Sequence, residues 1–322
     1  MNIKSLTVII LSFMVLAGII LSADPERKQS ITGAATGASF NQDTHAARGV
    51  GTESARVDSQ ITLKIPEGKA PEIYRYLRDT YTNNNKLIKK AFPDLDLYGQ
   101  TQEDISQFTD EYFETPNFDM YYGLNTVRHR SRINTINADD RKSGRELVQI
   151  KTTVPGKFDI RTELKFDVET NNKYKTPDGL HPLISLIDKY QREDFKKALT
   201  TVGMNPYDLK YIFTIVQTRS RVYMNWGAEN FLSFSVDEGY TKALWAEGNF
   251  SSIDIGLVET VYTEADEAKR EKMWEIRDFI VKDLQDHFPD LKQETSDKYN
   301  IILDQLAQEI PKFKLLFRLN VI

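Results

Sequence analysis

The chain has 322 residues, 42 Lys+Arg against 47 Asp+Glu (net charge −5), 40% hydrophobic residues and no cysteine. This is the composition of a folded chain long enough for one large domain or two modest ones. Without cysteine there are no disulfides, thiolate zinc sites or Cys nucleophiles. His45, His129, His181 and His287 show neither HxH nor HExxH spacing, so any metal would sit on oxygen ligands, as Mg²⁺ or Mn²⁺ does. A mildly acidic chain carries no global nucleic-acid footprint, and no nucleic-acid partner is expected.

Lys4 precedes an uncharged run of 18 residues at 6–23 (LTVIILSFMVLAGIILSA), followed by Asp24-Pro25-Glu26-Arg27-Lys28. A basic start before such a run reads as a signal peptide or as an uncleaved membrane anchor helix, and its length is also compatible with a buried core helix. Either of the first two readings places the rest outside the cytoplasm, secreted, periplasmic or anchored. Residues 24–56 are rich in Gly, Ala, Ser and Thr without helical or strand period, and read as a flexible tether. The glycines at 33, 37, 49 and 51 have no flanking strand and helix and no GKS/T ending, so they make no phosphate loop.

The folded domain is expected over 57–322. A strict polar/apolar alternation predicts a first strand at 57–65, and Pro71 opens a helix (PEIYRYLRDTY). Further strands are predicted at 108–115, 125–133, 145–153 and 159–168. A helical stretch at 181–199 follows, then strands at 211–226, 230–240 and 252–262. Two helical patterns close the chain at about 264–288 and 295–309. Eight strands with inserted and appended helices make an α+β protein.

The polar faces of these strands are rich in cations. Alternation groups Gln60, Thr62 and Lys64; Arg128, Arg130 and Arg132; Gln149 and Lys151; Arg161, Glu163, Lys165 and Asp167; Gln217, Arg219 and Arg221; and Ser233, Ser235 and Asp237, with Glu259 on the last strand. The ordinary meaning of such a pattern is an antiparallel sheet with one face in water. If the strands close with polar faces inward, they enclose a basic lumen suited to a polyanion, with carboxylates available for a divalent ion. His129 alternates with Arg128 and Arg130 and falls on the opposite face. Tyr112-Phe113, Tyr121-Tyr122 and Trp226 read as core aromatics.

Several segments resemble those of CYTH-type triphosphate tunnel proteins, in the same order. Asp110-Glu111-Tyr112-Phe113-Glu114-Thr115-Pro116 is similar to their D-x-Y-F-D-T-P strand, and Val127-Arg128-His129-Arg130 to L-R-x-R. Glu146-Leu147-Val148-Gln149-Ile150-Lys151, Arg161-Thr162-Glu163 and Arg219-Ser220-Arg221-Val222-Tyr223 are similar to L-T-x-K, R-x-E and K-x-R-x-x-Y. Gly256-Leu257-Val258-Glu259 resembles the late G-x-x-E-x-E strand, and Lys298-Tyr299 the K-S-Y helix start. The resemblance spans about 57 to 305. It implies an eight-stranded closed antiparallel tunnel that binds a triphosphate or polyphosphate with Mg²⁺ or Mn²⁺. The phosphate would be held by Lys64, Arg128, Arg130, Lys151, Arg161, Arg219, Arg221 and Lys298, and the metal by Glu163, Asp237 and Glu259. Lys64 and Glu259 would be the catalytic pair of a triphosphate phosphohydrolase, acting mostly by charge stabilisation.

The sequence departs from that pattern at the metal ligands. Where the family has E-x-E-x-K, this chain reads Gln60-Ile61-Thr62-Leu63-Lys64, and Val261 stands at the second late glutamate. Two further readings follow. Thr62-Leu63-Lys64-Ile65 and Glu259 partly match the VTC-type polyphosphate polymerases, and a tunnel without turnover would be a polyphosphate- or nucleotide-binding protein. Asp58 or the Asp110-Glu111 pair could supply replacement carboxylates.

Overall fold

The computed structural model describes residues 53–56, 60–83, 85–101, 105–134, 146–154, 157–169 and 181–321. The apolar run at 6–23, nearly all of the tether, and Asp58 lie outside the described residues. Among the described helices none is long and apolar enough to cross a membrane.

The alternating segments form strands in one antiparallel sheet. Three short strands come first, β1 (Glu53–Arg56), β2 (Ile61–Lys64) and β3 (Leu97–Thr101). A meander follows of β4 (Ser106–Glu114), β5 (Thr126–Asn134), β6 (Glu146–Val154) and β7 (Lys157–Asp167). A second contains β8 (Lys210–Trp226), β9 (Glu229–Ala243) and β10 (Ala246–Leu257). With β11 (Lys292–Gln293) the order is β1-β7-β6-β5-β4-β8-β9-β10-β2-β11, and β3 pairs with β8 off this path.

The expectation of eight strands closed into a tunnel is corrected on both counts. The sheet has eleven strands, and among the described residues no ladder joins its two ends. Yet those ends are close along the chain: β1 pairs with β7, β2 pairs with β10, and only residues 57–60 separate them. An extended chain of that length reaches about 17 Å. The sheet therefore curls until its ends stand within that span. The first strand is also shorter than predicted, and β1 is a strand inside the expected tether.

Helices pack against the sheet in several groups. The first contains α1 (Ala70–Arg78), continued by a π-helical turn at Asp79–Asn83, and α2 (Lys86–Ala91). A single turn, α3 (Asp119–Tyr122), follows β4. The helical stretch expected at 181–199 is two helices, α4 (Pro182–Leu186) and α5 (Arg192–Thr201). The chain ends with α6 (Glu259–Glu264), α7 (Glu267–His287), α8 (Lys298–Glu309) and α9 (Phe313–Arg318). The strand expected at 252–262 is thus corrected: Val258 N–H still reaches the Phe231 carbonyl, but Tyr262 N–H bonds back to Val258, so Glu259 opens a helix.

Alternation decides what is buried where. Leu63, Val222, Phe234 and Ile253 pack in one core with Ile73 and Leu77 of α1 and Ile276 and Ile280 of α7. Val127, Val148, Ile150 and Phe166 lie in the other core with Phe195 and Leu199 of α5. Of the neighbours Leu147 and Val148, it is Val148 that is fully buried. Trp226 packs against its core, whereas Tyr122, expected inside, is 60% exposed at the end of α3.

The inner face is filled at one end by α8. Tyr299 stacks with Tyr112 and Phe213 at centroid distances of 5.3 and 5.5 Å. Gln305 accepts from Asn249 N–H (2.7 Å) and donates to its carbonyl (2.9 Å), so a side-chain amide takes a strand's place at the edge of β10. Gly239 is required here, because a Cβ would lie 2.4 Å from the Phe250 ring. Fully buried Glu114 fixes the helix in place. It accepts from the N–H groups of Thr115 (2.6 Å), Met120 (3.0 Å) and Tyr121 (2.9 Å), and from the Tyr299 hydroxyl (2.6 Å).

On the outer face His129 stands between Glu111 of β4 (2.8 Å) and Glu146 of β6 (3.3 Å). Burial disfavours its charge, but the two carboxylates override it and raise its pKa above the ordinary value.

Two expectations follow. Tyr299→Phe should destabilise the fold by about 1–2 kcal/mol and Glu114→Gln by about 2–3 kcal/mol in urea unfolding, because the first removes one hydrogen bond and the second sets an amide against backbone donors. Unchanged midpoints would dismiss the anchor. The His129 contribution is complete below the unfolded pKa and is lost as pH rises through the raised folded one. The Tm advantage of wild type over His129→Gln should therefore shrink as pH rises above about 6.5; a constant difference would refute it.

Candidate anion-binding site

The strand registers set the inner-face residues in rows. Lys64, Ser252, Asp237, Arg219 and Ser106 are successive cross-strand neighbours from β2 to β4. Thr62, Asp254, Ser235 and Arg221 form the next row. Asp110 lies opposite Arg130, Tyr112 opposite Arg128, and Gln149 continues that last row. Phe108 lies between Arg132 and Gln217, with guanidinium carbons of Arg130, Arg132 and Arg219 at 4.4, 5.5 and 5.6 Å from its ring centroid. Cations outnumber carboxylates along this face.

Most of the carboxylates are matched from within. Arg130 holds Asp110 through two bonds, Nε–Oδ1 (2.6 Å) and Nη2–Oδ2 (2.5 Å), and Arg128 adds a third at 3.2 Å. Burial alone would raise the Asp110 carboxyl, but Arg128 and Arg130 hold it below its usual range. Arg128 also donates to Gln149 (2.7 Å), which donates to Glu163 (2.6 Å), and Lys165 lies 3.6 Å from Glu163. Across the face Arg219 grips Asp237 by Nε–Oδ1 (2.6 Å) and Nη2–Oδ2 (2.5 Å). Lys298 donates to Asp237 and to Asp254 (2.9 Å), and Thr62 donates to the other Asp254 oxygen (3.0 Å). Burial opposes ionisation of Asp237, and Arg219 and Lys298 overcome it, so its carboxyl lies well below the ordinary range.

Arg221 differs from its neighbours. It donates to the Ser235 hydroxyl (2.9 Å) and the Tyr223 hydroxyl (3.1 Å), and forms no ion pair among the described residues. Burial, and then repulsion from Arg219, push its pKa below that of a free guanidinium. Two more polar groups nearby in register lack partners: Gln217 Nε2 and Ser252 Oγ are buried without a hydrogen bond. Buried donors of this kind are costly until an acceptor reaches them.

The residues picked out by sequence are distributed as follows. Arg128, Arg130, Arg219, Arg221 and Lys298 share the inner face with Asp237 and Glu163. Lys64 is exposed at the β2 margin, and half-buried Lys151 lies opposite Glu163 in the ladder. Arg161 belongs to β7 by its backbone, and its side chain lies outside the described residues. Lys298, at the first position of α8, is only 16% exposed. Among the described residues no three His, Asp or Glu side chains stand together to hold a metal ion. Asp237 is committed to Arg219 and Lys298, Glu163 to Gln149 and Lys165, and Glu259 heads α6 beyond β10. This donor set does not fit the implied Mg²⁺ or Mn²⁺. Of the replacement carboxylates, Asp110 is held by two arginines and Glu111 turns outward to His129.

Asp254 and Phe108 were not among the residues singled out by sequence. The signal for Asp254 was present: Ser252 and Asp254 alternate with Ile253 and Ile255 on β10.

No family model matches this sequence, and no curated protein matches it. Among solved structures, the chain is similar to the PH1819 protein of Pyrococcus horikoshii (12% identity, 76% of this chain and 97% of that one, TM-score 0.42). It is also similar to a candidate adenylate cyclase of Bacillus halodurans (12%, 79% and 97%, TM-score 0.40). A third is a candidate adenylyl cyclase of Hippeastrum described as having a dominant triphosphatase activity (13%, 76% and 94%, TM-score 0.41). Likeness at this level does not extend to side chains, and the chemistry of this chain rests on its own residues.

Proposed function

We propose that this chain binds a triphosphate-like or polyphosphate anion on the basic inner face of its curled sheet. The observation that carries the reading is Arg221, a guanidinium largely withdrawn from water with hydroxyls for partners and no carboxylate. The orphaned donors of Gln217 and Ser252 support the same class of ligand. Hydrolysis is the further step implied by the family resemblance, and it is tested by phosphate release alongside binding. The apolar run at 6–23 supports placing this activity outside the cytoplasm, which fractionation of the expressed full chain would check.

Calorimetric titration of tripolyphosphate, ATP and pyrophosphate should give affinity that weakens steeply with salt. Arg221→Gln should lower tripolyphosphate affinity about tenfold or more, as expected for losing a charge-assisted hydrogen bond. The same variant should unfold at an unchanged or higher temperature without ligand, because it removes a buried cation that no carboxylate matches. A lower Tm with unaltered affinity would return Arg221 to a structural role. Phosphate release would make the protein a hydrolase; saturable binding without release would make it a binding protein.

A further inference from the structure

We infer that the Lys298 ammonium is a resident counter-cation in the place of a divalent metal, so that the proposed anion binds without one. This rests on the anion-binding reading above. The donor pattern carries it. Asp237 and Asp254 come from adjacent strands and offer four oxygens between them. Asp237 Oδ1 accepts from Arg219 Nε, and Oδ2 accepts from Arg219 Nη2 and Lys298 Nζ. Asp254 Oδ2 accepts from Lys298 Nζ (2.9 Å) and Oδ1 from the Thr62 hydroxyl (3.0 Å). Every carboxylate oxygen is taken by a donor of the chain, and two anions are balanced by two cations. A hard dication binds by stripping such oxygens of their donors, and here it would also meet two fixed positive charges.

The ammonium is held there by more than its own flexible stem. Lys298 is the first residue of α8, whose N-cap Asp297 accepts from Tyr299 N–H (3.0 Å). Tyr299 is tied in turn to buried Glu114, and the Phe250 ring lies 5.2 Å from the ammonium. Anchored in this way, Lys298 neutralises the carboxylates. Arg221 then remains for the ligand. The chain's substitutions at the expected metal-binding strand agree: Gln60 donates to Thr62 and Thr62 to Asp254, so neutral groups complete a hydrogen-bond chain where glutamates would add charge.

Two measurements on the full chain test this. Tripolyphosphate should bind at least as tightly in EDTA as with Mg²⁺ or Mn²⁺; affinity about tenfold tighter with either ion would overturn the inference. Mn²⁺ alone, followed by electron paramagnetic resonance, should not bind the wild type, whereas Lys298→Ala should gain Mn²⁺ affinity of about tenfold or more as two carboxylates lose their ammonium. Lys298→Arg should stay like the wild type. Saturable Mn²⁺ binding to the wild type that Lys298→Ala does not strengthen would overturn the inference. The wild-type arms decide it even if Lys298→Ala fails to fold. Should tripolyphosphate bind under neither condition, the anion-binding reading falls, while the Mn²⁺ titration still decides what occupies the carboxylates.

Discussion

A carboxylate removed from water has to be met by cations, and Asp237 is met by two from different parts of the chain. Arg219 reaches it from the neighbouring strand, and Lys298 from a helix that begins 61 residues later in sequence. This junction joins β8, β9, β10 and the start of α8 through charge. The remainder of the inner face is arranged around it. One end is filled by stacked Tyr112, Phe213 and Tyr299, and the other retains the basic rows. A buried ion pair of this kind is weak support for stability but strong for register, since a strand slipped by one residue would send Asp237 to the apolar side.

The strands were legible because alternation is a local property. Ile61 and Leu63, or Val222 against Arg219 and Arg221, reveal their faces without any partner being known. The outward direction of His129 was legible for the same reason. Partners were not. Nothing local distinguishes Arg219, bound twice to Asp237, from Arg221 two residues on, which has only hydroxyls. That difference arises from the register of β9, which sets Asp237 beside one and Ser235 beside the other.

Other departures have similar causes. The stretch after Leu257 contains Val, Thr and Tyr, all good strand residues, yet it turns into α6 once β10 has completed its pairing. β3 was missed because Gly99 and Gln100 break the apolar pattern. The glycine is there for proximity, since a Cβ at that point would lie 2.1 Å from the Tyr81 carbonyl oxygen. Lys298 stands at a helix start, and the packing of α8 across β10 takes it inside.

The position of β1 at one end of the strand order, and of β2 next to the other end, has a consequence for synthesis. These strands leave the ribosome first, but Ser54 must wait for Glu163, and Ile61 for Ile255. No earlier partner exists for either in the native ladder. In the emerging chain β1 thus stays unpaired until β7 is made and β2 for longer, until β10 is made, and the sheet can acquire its curl only then. The brevity of both strands, four residues each, limits what they can mispair with while they wait.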